Sequence, residues 1–308
     1  MTQSTQHHTG HHGTHRRFRG AFTAIVTPFT PDGREIDYGR LEKQIADQAR
    51  GGVTGIVVAG TTGESPTLTH HEWEHLVRAS VERGRAEGMM VIAGTGSNST
   101  AHAVELQRLA AQIGVDAALS VNPYYNKPTQ EGLYRHFITV ADSADLPVML
   151  YNIPGRSGVA LTPTTVERLS KHPNIRACKE ATGSTDSASE IAMRCPDMAL
   201  LSGDDPMTLP FASVGAVGVV SVVSNILPAK MTALCNAFLN NRWEEALTIH
   251  RGIFPFCRAM FLETNPIPVK AAMRLLGRDS GVLRLPMTDC SPETLKAVQK
   301  ALVEQKLL

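Results

Sequence analysis

Lys179 stands near the end of "IRACKE" (residues 175–180), a stretch whose alternating apolar residues predict a strand, just before "ATG" turns the chain. An unperturbed lysine amine, with a pKa of about 10.4, is free base only to about one part in a few thousand at pH 7. Nucleophilic use therefore requires desolvation. Ile175 and Ala177 share the parity of Lys179, so the three are expected on one face, and an interior face would disfavour the ammonium form. Other reactive types fall at corresponding places: "GTTGES" (60–65), "NPYYNKP" (122–128), "YNIPGRSG" (151–158) and "SGDD" (202–205). Gly60 and Gly63 free the backbone of that turn, so its N–H groups and the Thr61 and Thr62 hydroxyls can converge on a small anion such as a carboxylate. Tyr124, Tyr125 and Tyr151 are three of only five tyrosines in the chain, and a hydroxyl such as that of Thr61 can bridge two of them into a proton relay. Arg156, with no obvious partner at i±4, presents a planar fork suited to a substrate carboxylate. The set is equipment for imine formation with a 2-oxo acid: the amine attacks the keto carbon, the relay moves protons as water leaves, and the carboxylate grip fixes orientation.

Each residue alone also has a plainer reading: a solvated lysine, a structural Gly-Thr turn, scattered core tyrosines, a surface arginine. Their shared location weighs against that. Nucleotide binding finds no support, because "AGTTGES" lacks the Gly-Lys-Ser/Thr ending of a P-loop and "GTGSNS" (94–99) lacks the third glycine of a dinucleotide turn. No metal is expected. His70, His71, His75 and His102 lie on predicted helices or caps, and Asp205 before Pro206 reads as a helix cap.

The elements that must position these residues alternate strand and amphipathic helix from Phe22 onward. "FTAIVTP", "GIVVAG", "MMVIAG", "DAALSV", "PVMLYN", "IRACKE", "MALLSG" and "AVGVVSV" each precede a helical pattern. Thr69 with Glu72 makes a capping box, Thr162-Pro163 pairs an N-cap with proline at the first helical position, and Gly114 stops the helix bearing Leu106, Leu109, Ala110 and Ile113. Eight successive βα units predict a (β/α)₈ TIM barrel over 18–240 followed by a C-terminal helical domain over 241–308, with a doubly wound sheet as the alternative. In a barrel, active sites sit on loops after the strand C-termini, where the reactive residues fall.

Composition sets the outer limits. The 308 residues are 42% hydrophobic and 19% charged, enough apolar material for a large core, and the net charge of +1 leaves no broad footprint for nucleic acid or an anionic membrane. Five dispersed cysteines (Cys178, Cys195, Cys235, Cys257 and Cys290) read as reduced intracellular thiols. No apolar run approaches the roughly 18 residues of a membrane span, and the segment after Arg16-Arg17-Phe18-Arg19 is too short for an export signal core. A soluble, cytoplasmic protein is expected. Residues 1–17, with "HHTGHHGTH", are expected to be a disordered tail.

"GTTGES", "PYYNKP", "YNIPGRSG", "KEATG", "LLSGDD", "NPIPVK" and "LRLPM" stand in an order and spacing that closely resembles the dihydrodipicolinate synthases, within the pyruvate-dependent class I aldolases, from about Phe18 to the C-terminus. The resemblance implies condensation of pyruvate with L-aspartate 4-semialdehyde on the way to diaminopimelate and lysine. It implies that Lys179 forms the Schiff base, that no separate cofactor is needed, that Tyr151 donates and accepts protons, and that Thr61 connects it to a Tyr125 belonging to a neighbouring subunit. Thr62 would hold the pyruvate carboxylate, Arg156 that of the semialdehyde, and the Gly203 and Val220 backbones would line the pocket. A homotetramer built as a dimer of dimers is implied. Sialate lyases and 2-keto-3-deoxy sugar acid aldolases share the lysine and the strand-5 tyrosine, but Arg156 and the Tyr124-Tyr125 pair favour the synthase; a non-catalytic keto-acid sensor would have no need of the amine. The resemblance also implies an allosteric lysine site at Ser65, Pro66, His70, Trp73, Asn98, His102 and Tyr124. There His102 replaces a glutamate that contacts the ligand's ammonium, and Trp73 a histidine. Losing that carboxylate predicts weak or absent lysine inhibition.

Overall fold

The computed structural model describes residues 18–308; the His-rich segment 1–17, expected to be disordered, lies outside the described residues. Strands β1 (Gly20–Ala24), β2 (Gly55–Val58), β3 (Met90–Gly94), β4 (Ala117–Val121), β5 (Val148–Asn152), β6 (Ile175–Glu180), β7 (Ala199–Ser202) and β8 (Gly218–Ser221) are parallel. They close in sequence order, β1 pairing β8 through Gly20–Thr23 against Gly218–Ser221. This is a (β/α)₈ barrel. The strands read as nearly continuous apolar runs because both their faces are covered.

Between strands run α1 (Tyr38–Arg50), α2 (His70–Ala86), α3 (Thr100–Ile113), α4 (Gln130–Asp142), the single turn α5 (Pro154–Ser157), α6 (Pro163–Ser170), α7 (Thr185–Arg194) and α8 (Thr208–Ala212). Local chemistry starts them where expected. The Thr69 hydroxyl accepts from the Glu72 N–H at 3.1 Å while the Glu72 carboxylate accepts from the Thr69 N–H at 2.9 Å, a complete capping box. Thr129, Thr162 and Ser184 accept from backbone N–H groups at the starts of α4, α6 and α7. After the barrel come α9 (Pro228–Leu239), α10 (Trp243–Ala259), α11 (Ile267–Leu275) and α12 (Pro292–Glu304). Their apolar faces join the shell around the barrel, one buried cluster running from Ile25 and Leu41 through Phe238 to Phe256, Val269 and Leu302.

Inside the barrel Phe22, Val57, Ile92, Leu119, Met149, Tyr151, Ala177, Leu201 and Val220 form a packed plug, each large aliphatic member contributing about 1.5–3 kcal/mol of burial. One register detail corrects the strand-parity expectation. Ile175 pairs with Val148, but the next pair is Met149 with Ala177, so β6 carries an extra residue at Arg176. Ala177 packs in the interior and Lys179 follows its parity, whereas Ile175 lies on the helix-facing side with Val148 and Cys178. A bulge inverts the parity of everything before it.

Candidate active site

β6 ends on Lys179, only 6% exposed, and its ammonium nitrogen lies 4.0 Å from the centroid of the Tyr151 ring, at the paired position on β5. Burial pulls the amine down to about 7, with the buried Asp205 carboxylate opposing that shift and the Arg156 guanidinium adding to it. A substantial share of the Lys179 amine is therefore neutral near pH 7. Tyr151, also buried, is pushed up to about 12 by burial; Arg156 and a hydrogen bond with Thr61 draw it back, and Asp204 raises it. It remains a phenol at neutral pH, able to donate a proton.

Gly203, at the end of β7, is glycine for a steric reason: a Cβ there would lie 3.0 Å from the Lys179 Cε and 2.8 Å from the Ala181 Cβ. Lys179, Thr61, Thr62, Tyr151, Arg156 and Gly203 line a small cavity of about 50 Å³, together with Val222, Phe261 and Asn265. Val220 is buried in the interior, and Val222, just past the end of β8, lines this cavity instead.

In the turn after β2, the N–H groups of Gly63, Glu64 and Ser65 bond back to the Gly60 and Thr61 carbonyls, leaving the Thr61 and Thr62 N–H groups outside the turn's internal bonds. Such free, clustered donors can take a carboxylate. The Thr62 hydroxyl accepts from the Asn265 Nδ2 at 3.0 Å. Arg156, expected on a loop, sits in the one-turn helix α5 and donates to the Asn265 carbonyl at 3.0 Å, so two cavity-lining elements rest on one residue of the C-terminal region.

Asp205 is a second correction. It does not cap its own helix: its buried carboxylate reaches across to accept from the Ser221 hydroxyl and from the N–H groups of Val222 at 2.9 Å and Val223 at 3.2 Å. Burial raises its pKa to about 6 against those donors. Beneath the rim, Asn152 donates to the Glu180 carboxylate at 2.9 Å and accepts from the Leu161 N–H at 2.9 Å, tying the residues that follow Tyr151 and Lys179 to the loop carrying Arg156.

A larger cleft of about 460 Å³ opens beside the cavity and shares Thr61, Tyr151 and Arg156 with it. Its outer wall holds Ser65, Pro66, His70, Trp73, His102 and Tyr124 from the expected lysine site. Asn98 lies outside that wall and accepts through its carbonyl from Asn126 at 2.9 Å. Trp73 is buried and donates to the Gly94 carbonyl at 3.0 Å. Glu105, which the sequence did not single out, places its carboxylate 3.3 Å from His102 and 3.8 Å from His70. Tyr125 is not brought to Thr61 within the chain; it is 89% exposed with φ +73°. A wider groove of about 720 Å³ along α1 is lined by Arg40, Lys43, Arg50 and Arg83 with Asp37 and Asp47, a solvated surface of paired charges that shares no residue with the Lys179 cavity. Among the described residues, no helix is long and apolar enough to cross a membrane.

Asn265, Asp205 and Glu180, which line or brace the cavity, were missed as site residues by sequence reasoning. The "NPIPVK" string containing Asn265 and Lys270 was the available signal, yet nothing local says that it folds back over residues 61–64.

Residues 17–305 match the model of the "Dihydrodipicolinate synthetase family". A 4-hydroxy-tetrahydrodipicolinate synthase from Endomicrobium trichonymphae is 47% identical over 292 residues, covering 94% of this chain and 99% of the relative. A dihydrodipicolinate synthase from Cyanidioschyzon merolae, solved with lysine bound, superposes with a TM-score of 0.93 at 44% identity, covering 95% of this chain and 99% of that one. A monomeric dihydrodipicolinate synthase variant superposes with a TM-score of 0.92 at 39% identity, covering 96% and 99%.

Proposed function

The chain belongs to the dihydrodipicolinate synthetase family, and we propose that Lys179 is the Schiff-base lysine through which it condenses pyruvate with L-aspartate 4-semialdehyde to 4-hydroxy-tetrahydrodipicolinate. The observation that carries this reading is the buried Lys179 amine lying 4.0 Å from the Tyr151 ring, in a cavity that also holds Thr61, Thr62 and Arg156.

Pyruvate enters with its carboxylate on the Thr61 and Thr62 N–H groups. The neutral Lys179 amine adds to C2, and the carbinolamine loses water as Tyr151 protonates the departing hydroxyl; no metal or separate cofactor takes part. Loss of a C3 proton gives the enamine, whose C3 attacks the aldehyde carbon of the semialdehyde while the oxygen takes up a proton. Arg156 pairs with the semialdehyde carboxylate. The semialdehyde amine then attacks C2, displaces Lys179 and closes the ring, returning the free lysine. Gly203 gives the lysine room, and Val222, just past the end of β8, lines the cavity wall.

Thr61 passes protons between Tyr151 and a second tyrosine. Tyr125, at 89% exposure, serves that role across a subunit boundary, which calls for a dimer and, by family pattern, a cytoplasmic homotetramer. Beside His70 and His102 of the cleft wall, the Glu105 carboxylate is shared between the two imidazoles, so lysine binds weakly there.

Borohydride reduction in the presence of pyruvate tests the assignment. A mass increment mapping to Lys179 and lost in Lys179→Ala is expected; an increment elsewhere, or none, refutes it.

A further inference from the structure

Lys270 is a second buried lysine, fully inaccessible, and the mechanism above makes no use of it. Its amine donates to the Glu64 Oε1 at 2.7 Å and to the Thr27 carbonyl at 3.0 Å, and lies 4.4 Å from the centroid of the Phe29 ring. The other Glu64 oxygen accepts from the Arg284 N–H at 3.0 Å. Both oxygens of one carboxylate are thus held from the C-terminal region, by residues more than 200 positions away in the chain.

Glu64 directly follows Thr61, Thr62 and Gly63, and its φ of +55° is left-handed, a conformation costing a side-chain-bearing residue about 1–2 kcal/mol. Such an outlier persists only where its surroundings determine it. Here they do: the Glu64 side chain is anchored as described, the Thr27 hydroxyl donates to the Gly63 carbonyl at 2.7 Å, and Asn265 donates to the Thr62 hydroxyl at 3.0 Å. A buried ion pair is weak as a source of stability, since desolvation offsets most of its attraction; its better-attested use is to fix one arrangement.

We propose that Lys270 and Glu64 are positioning residues for the keto-acid site: the pair locks the 60–64 turn so that the Thr61 and Thr62 N–H groups face the substrate carboxylate, and thereby sets the affinity for pyruvate. The inference rests on the reading of that turn as the carboxylate grip. The chemistry at Lys179 is left intact by loss of the pair, while binding is not.

The test uses the full-length protein and measures the pyruvate concentration giving half-maximal borohydride trapping at Lys179, with KM for each substrate and kcat alongside. Glu64→Gln and the double variant Lys270→Met/Glu64→Gln, which leaves no unpaired buried charge, are expected to raise half-saturating pyruvate about tenfold. Their kcat at saturating pyruvate and KM for the aldehyde substrate should change less than about threefold. Thr27→Val, which removes the bond to Gly63 without touching a charge, is expected to raise it about threefold, and decides the matter if the charge variants do not fold. Lower melting temperatures with unchanged half-saturation would show a merely structural pair and overturn the proposal. Failure of the wild-type protein to be trapped at all would instead sink the Schiff-base reading beneath it.

Discussion

Replacing Lys179 by methionine should abolish the reaction and make the protein more stable, by an amount that depends on pH in a stated direction. Burial lowers the folded-state pKa of this amine from 10.5 to about 7. A lysine with a depressed folded pKa opposes folding wherever the unfolded chain holds a proton that the folded chain releases or binds at a cost. Below about pH 7 that opposition is complete, about 5 kcal/mol at most. It declines as pH rises from 7 towards 10.5, and at pH 9 about 2 kcal/mol remains. Lys179→Met, of similar length and without charge, removes it. Urea unfolding of the wild type and the variant at pH 6.5 and pH 9 should show the variant ahead at both values. Its lead should be larger at pH 6.5 by about 2–3 kcal/mol. An equal lead at the two values, or a variant less stable than the wild type at pH 6.5, would refute the claim that desolvation activates this amine.

Gly203→Ala places a methyl group 3.0 Å from the Lys179 side chain, so trapping by borohydride should slow about 100-fold while the circular dichroism spectrum is unchanged; near-normal trapping would show that the close approach has no consequence. Asp205→Asn removes the carboxylate that raises the Lys179 pKa, so the midpoint of the pH–trapping profile should move below about 7, and a midpoint moved upward contradicts the assigned sign. Lysine added to the purified enzyme should give no half-inhibition below about 0.1 mM, corresponding to binding weaker than about 5.5 kcal/mol; tighter inhibition would mean that Glu105 replaces the missing carboxylate.

The start of α2 was legible because Thr69 and Glu72 are three residues apart and satisfy each other's backbone whatever the rest of the chain does. The inward aim of Lys179 was legible from Ala177, two residues before it, but reasoning back to Ile175 failed at the bulge, since a single extra residue leaves no mark in the alternation. The Asp205 cap was misread for a related reason: a carboxylate before proline can serve its own helix, and only the neighbouring strand end offered it better donors.

The sequence by itself determined the alternation of strands and helices, where most of them start, and which reactive side chains fall at strand ends, because these depend on periodicity and on hydrogen bonds spanning a few residues. Tertiary structure alone decided that Asn265 would carry both Thr62 and Arg156, that Lys270 would meet Glu64, and that Lys179 would lose its water. Those outcomes depend on closing the barrel and folding the chain after α10 back over its rim. Contacts across 200 residues are set by how whole elements pack, and desolvation belongs to an enclosure that no single segment can make.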